Sequence, residues 1–141
     1  MEKGGKLEEN KEVKFKEVMR FTLWGIPRTK KTSQRIVMRG KYPIIIPSEK
    51  YLQYEKDCGR QITGKYKNNL KGLYNLKVLY YRKDRRAVDL SNLLQATCDI
   101  LQKFEVLEGD DYKTIYGFDG SRVLFDKKYP RAEIIIEEVE L

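Results

Sequence analysis

The chain contains no histidine and only two cysteines among its 141 residues. Histidine is the usual partner in Ser–His and Cys–His nucleophilic centres and a frequent zinc ligand. Its absence excludes those mechanisms and nearly excludes the ordinary zinc sites. Cys58 and Cys98 have no metal-ligand spacing and fall on the apolar faces of expected helices. They read as reduced core thiols, which points to a cytoplasmic location. Long hydrophobic runs are also missing. The aliphatic stretches, such as Ile44-Ile45-Ile46, reach three residues, against the ~20 that a membrane-spanning helix needs. The opening MEKGGKLEENK has no hydrophobic segment of a secretory signal, so residues 1–11 are expected to form a disordered polar tail. No Pro/Gly/Ser-rich linker, repeat or low-complexity segment divides the rest, so 12–141 is expected to be one domain.

Charge is abundant and uneven. The net charge is +8, yet residues 1–11 hold three Lys and three Glu, and residues 133–141 hold four Glu and no base. The body, 12–132, therefore carries +12. Such a charge on a small domain favours a polyanion such as nucleic acid as partner, although solvated surface lysines are the plainer alternative.

Periodicity supplies the elements. Val13, Phe15, Met19, Phe21 and Leu23 alternate with polar residues as in a strand, and the basic loop RTKKTSQR follows. IVMRGKYPIII has the form of a hairpin turning near Gly40. Ser48 is a fitting N-cap for a helix whose stripe is Tyr51, Tyr54, Cys58 and Ile62. LYNLKVLYY reads as a strand. Leu90, Leu93, Leu94, Thr97, Leu101 and Phe104 form one helical stripe, and the helix is expected to end before VLEGDD, where Gly109 breaks it. KTIYGF and RVLF read as a hairpin about Asp119-Gly120, and the three isoleucines of RAEIIIEEVEL mark an interior strand. The order suggests an α+β domain in which two helices cover one face of a mixed sheet.

The stretch RRAVDLSNLLQATCDI raises the functional question. Without histidine, phosphodiester cleavage calls for a divalent metal, and Mg²⁺ (or Mn²⁺) takes hard oxygen ligands, commonly one or two carboxylates. Asp89 at the helix start and Asp110 and Asp111 beyond its end are the candidates. A helix of about 15 residues is roughly 22 Å long, so their convergence needs a returning strand, a shorter helix or a second chain. Asp89 is also a good N-cap, and Asp110-Asp111 suits an ordinary turn. Asp99 lies roughly 15 Å along the helix from Asp89 and is expected to tie down the following loop instead. Arg82, Lys83, Arg85 and Arg86 precede Asp89, while Lys30, Lys31 and Arg35 form a second basic loop. Both suit phosphate contacts. Trp24, Tyr80 and Tyr81 lie nearby as possible stacking residues, although strand aromatics more often belong to the core.

DLSNLLQATCDILQKFEVLEGDDYKTI resembles the central segment of the RusA-like Holliday junction resolvases. That family carries Asp-x-Asp-Asn at a helix start, a lysine four positions after the second Asp, a mid-helix Asp and then an Asp-Asp pair. The likeness extends to RKDRR, the PSEKYLQYEKD helix and the terminal strand, over residues 18–140. It implies a homodimeric α+β endonuclease that nicks paired strands of four-way DNA junctions with Mg²⁺ or Mn²⁺, in recombination, repair or phage DNA processing. Asp89 matches the first metal-binding acid and Asp111 the last; Asp110 and Asp99 match acids of open role. Two positions depart from the pattern. Ser91 replaces the second Asp, removing one negative charge from the ion's ligands, and Gln95 replaces the lysine. Glu108, Asp110 or Asp119 are the candidates for the missing carboxylate, with Asp119 also explicable as the Asp of an Asp-Gly turn. Lys30, Lys31 or Arg122 are candidates for the missing cation. The alternatives are a branched-DNA-binding protein on the same fold that does not cut, and an RNA-binding domain resting on charge and aromatics alone.

Overall fold

The computed structural model describes residues 12–31 and 35–141; the tail expected over 1–11 lies outside them. The chain forms a single α+β domain. Its main sheet contains β1 (Lys14–Trp24), β4 (Tyr74–Arg82), β5 (Ile115–Gly117), β6 (Arg122–Phe125) and β7 (Arg131–Glu140). β7 lies between β1 and β4 and is antiparallel to both, whereas β5 and β6 run parallel to β4. A separate antiparallel ribbon joins β2 (Arg35–Arg39) to β3 (Tyr42–Ile46). Gly40 opens its turn at φ +60, a conformation that costs a Cβ-bearing residue.

The interior position of β7 explains its isoleucines. Ile134 and Ile136 are fully buried on the helix-covered face, and Ile135 on the opposite face is only 2% exposed. Facing them, α1 (Glu49–Gln61) contributes Tyr51, Tyr54 and Cys58. α2 (Leu90–Lys103) contributes Leu93, Leu94, Ala96, Thr97, Cys98, Ile100 and Leu101. Both helices join one core with Phe21, Leu23, Leu76, Val78 and Tyr80 of the sheet. Ser48 caps α1 as the sequence suggests, its Oγ accepting the Tyr51 N–H at 3.1 Å. Where the helices meet, a Cβ on Gly59 would collide with the Phe104 ring.

α2 ends before VLEGDD, as expected, but the turn falls at Glu105 and not at Gly109: Glu105 lies in the left-handed region at φ 66, and the Val106 N–H bonds back to the Leu101 carbonyl at 2.8 Å. One local expectation is corrected. The two strands around Asp119-Gly120 do not pair with each other. β5 lies along the start of β4 and β6 along its end, as one interrupted edge. A two-residue type I′ hairpin turn needs positive φ at both central positions, and only Gly120, at φ +88, has it. Side chains fill the interruption. The Asn75 amide donates to the Asp119 carbonyl at 3.0 Å and accepts the Asp119 N–H at 2.9 Å. The Ser121 hydroxyl accepts the Val78 N–H at 3.0 Å and donates to the Leu76 carbonyl at 3.3 Å. Backbone groups that lack a ladder partner are thereby satisfied.

Candidate nucleic-acid interface

Asp89 occupies the N-cap position of α2, with extended backbone (φ −82, ψ 123), but its side chain makes no capping bond to a backbone N–H. One carboxylate oxygen instead accepts the side-chain amide of Asn92 at 3.2 Å. The helix start is closed by the Asp89 backbone carbonyl, which accepts from Asn92 and Leu93 at 3.1 Å each. The position is therefore structural while the carboxylate is not spent on the helix. It opens on a cleft lined by Thr29, Lys31, Ala87, Val88 and Asn92.

The basic loop forms the other wall. Lys30 and Lys31 border a second cleft with Asn92, Gln95 and Ala96. Lys30 is paired with Asp99, Nζ to Oδ2 at 2.7 Å. Asp99 thus ties down the loop that follows β1, and not the loop that follows α2 as expected. Lys31 is exposed beside Gln95 and Asn92, so of the candidate cations it is the one beside the glutamine that is not spent on Asp99. Arg122 is not beside that glutamine, because it lies opposite Leu79 in the β4–β6 ladder, on the sheet face away from the helices.

The remaining acids are spread out. Asp111 holds the turn into β5: its Oδ1 accepts the Lys113 N–H at 2.9 Å and its carbonyl accepts from Thr114 and Ile115. Asp110 and Glu108 are exposed beyond the end of α2; the charges of Asp110 and Asp99 both reach the Cys98 thiol. Asp119 is bonded to Asn75, seven residues before Arg82 on β4, about 23 Å of strand from the end that leads to Asp89. Among the described residues no three acidic or thiol side chains come together as a metal-ligand group. Asp89 is thus separated from Asp119, and α2 stands between it and Asp111. The long helix anticipated from the sequence is what keeps them apart.

The other cations divide by their partners. Arg35 is paired with Glu49 at 3.3 Å. Arg85 lies over the Phe125 ring at 4.2 Å from its centre, and Arg86 is exposed with its backbone N–H bonded to Asp84. Arg82 donates from Nη1 to the Arg86 carbonyl at 2.9 Å, but its Nε is buried without an acceptor. Leaving a buried donor unpaired costs about 1–3 kcal/mol, more for a charged group. Two cations beside it were not singled out as phosphate contacts from the sequence: Arg28, within the basic loop, and Lys50, in the first turn of α1. The PSEK start of α1 was the available signal, since a lysine two residues after an N-cap stays at the helix's positive end.

Of the aromatics, Tyr80 is a core residue, buried and bonded to Thr97 Oγ1 at 2.6 Å. Tyr81 and Trp24 flank Arg131 on the opposite sheet face, with Arg131 3.8 Å from the Tyr81 ring centre. Burial pushes the Cys58 and Cys98 thiols up to about 12, which leaves them protonated and inert near neutrality. No helix among the described residues is long and apolar enough to cross a membrane. Comparison with models of known protein families and with curated protein sequences gives no match.

A divalent ion would find one carboxylate at this cleft, Asp89. Mg²⁺ is commonly held by one or two carboxylates, with water and substrate phosphate completing its shell. Asn92 and Thr29 line the same cleft, and Ser91 follows Asp89 in the first turn of α2.

Proposed function

We propose that this protein is a Mg²⁺- or Mn²⁺-dependent endodeoxyribonuclease of the RusA type, acting as a homodimer on four-way DNA junctions by paired nicks. The observation that carries this reading is the Asp89 carboxylate: it sits at the N-cap, is released from capping, is oriented by Asn92 and opens on a cleft beside Lys31. A divalent ion at this carboxylate supplies charge neutralisation at the scissile phosphate and a more acidic water. Asn92 fixes the carboxylate by its 3.2 Å hydrogen bond. Lys31, across the cleft, offsets negative charge on the phosphate, and Arg82, Arg85 and Arg86 bind the flanking backbone.

A second reading, a protein that grips branched DNA without cutting it, is favoured by Ser91, Gln95 and the distance of Asp111 from Asp89. Under the first reading, further acids come from a second protomer. Incubation with a synthetic four-way junction and with linear duplex, in Mg²⁺, Mn²⁺ or EDTA, separates the two. Paired, metal-dependent nicks that disappear in Asp89→Asn are expected. Junction binding with no product in either metal establishes the second reading, and a preference for RNA refutes both.

A further inference from the structure

We infer that the cavity between the 27–31 loop, the start of α1 and the end of β4 is a phosphate-binding pocket, which takes a backbone phosphodiester next to the one at Asp89. The identity of that phosphate as a DNA linkage rests on the proposed function; the pocket itself does not.

Arg28, Lys50 and Arg82 come from three different elements and line one cavity with the buried Thr29 and Ser48. Among the described residues, none of the three has an ion-pair partner, in contrast to Lys30 with Asp99 and Arg35 with Glu49. Gathering three positive charges is unfavourable unless an anion joins them. Arg82, which lines the cavity, also has its Nε–H buried with no acceptor, so its guanidinium is not fully satisfied by the protein. The N-terminal end of α1 adds its positive dipole from the same side. Ser48 Oγ is already committed to the Tyr51 N–H, so the site does not depend on the cap.

Size and position bear on the ligand. The cavity is about 40 Å³, enough for more than one water. Thr29 and Val88 line both this cavity and the Asp89 cleft. A strand that lays one phosphate at Asp89 therefore brings a neighbouring one here.

The test is a titration of the ¹⁵N-labelled full chain with inorganic phosphate, against sodium chloride at matched ionic strength. Saturable shifts are expected at the Arg28, Ser48 and Lys50 amides and the Arg82 Nε–H. Arg28→Ala and Lys50→Ala should each weaken binding about fivefold, the effect of one unit charge at about 4 Å in water. Shifts that follow ionic strength alone, or that ignore both substitutions, overturn the pocket. Dimethyl phosphate, with the single charge of a nucleic-acid linkage, distinguishes the sources. Its competition for the same resonances supports a backbone phosphodiester, whereas binding of inorganic phosphate alone overturns that assignment. No cleavage enters the readout, so a failed nuclease assay leaves a saturable phosphate signal intact. An active nuclease without that signal overturns the pocket only.

Discussion

Asp89→Asn separates a capping role from a ligand role, because the two give opposite results in different assays. Asn is as good an N-cap as Asp, and the wild-type side chain makes no cap bond that could be lost. What remains is the attraction between a carboxylate and the helix N-terminus, typically 0.3–1 kcal/mol. Thermal unfolding is therefore expected to shift by no more than about 5 °C. DNA binding should respond with a sign that depends on metal. Without metal, the carboxylate faces the phosphates it is meant to help cleave. One unit charge about 7 Å from a phosphate in water is worth about 0.6 kcal/mol, close to threefold in Kd. In EDTA, Asp89→Asn should thus bind a four-way junction about threefold more tightly than wild type. Added Mg²⁺ should tighten the wild type and leave the variant unchanged, closing or reversing the gap. Fluorescence anisotropy with a labelled junction at fixed ionic strength reads both Kd values. Equal affinities with and without Mg²⁺ for both proteins refute the ligand role and leave Asp89 as a helix start only.

The core offers three further tests. Thr97→Val strands the buried Tyr80 hydroxyl, whose observed partner is Thr97 Oγ1, and should cost about 1–3 kcal/mol in urea unfolding. Tyr80→Phe leaves Thr97 its 2.9 Å bond to the Leu93 carbonyl and should cost less, about 1 kcal/mol; the reverse order refutes the assignment. Gly59→Ala gains up to about 1 kcal/mol of helix propensity, but overpacks the Phe104 ring by a typical 1–3 kcal/mol. It should destabilise the wild type and stabilise a Phe104→Ala background, as a double-mutant cycle would reveal. The thiols give a pH dependence. Burial raises Cys58 and Cys98 from 9.0 to about 12, so the native state holds protons that the unfolded state releases. Their stabilisation is complete below pH ~9 and is lost as pH rises toward 12, by up to about 1.4 kcal/mol per pH unit for each thiol. Urea midpoints that stay level from pH 8 to 10.5 contradict this.

Local chemistry made most of the elements legible. The Ser48 cap and the stripe Tyr51, Tyr54, Cys58 gave α1, and the isoleucine run gave the interior strand β7, because burial on a regular element leaves a period in the sequence. The failures occur where the partner is chosen from a distance. Asp119-Gly120 looks like a hairpin turn, but the open edge of β4, with Asn75 and Ser121 to bridge the interruption, took both flanking strands. α2 does end where its stripe ends, but Glu105 and not Gly109 makes the turn, because Val106 and Leu107 continue into the core.

At the candidate site, the sequence by itself determined that this chain has no histidine chemistry, carries its positive charge in the body, and places an acid at the start of an amphipathic helix behind a basic cluster. Those are properties of residue type and spacing. Only the tertiary structure decided that the Asp89 side chain is free of the cap, that Lys30 is spent on Asp99 while Lys31 stands beside Gln95, and that Arg28, Lys50 and Arg82 share one cavity. Each of these outcomes depends on residues far apart in the chain. An ion pair or a shared pocket is set by which elements pack together, and no local period records that choice.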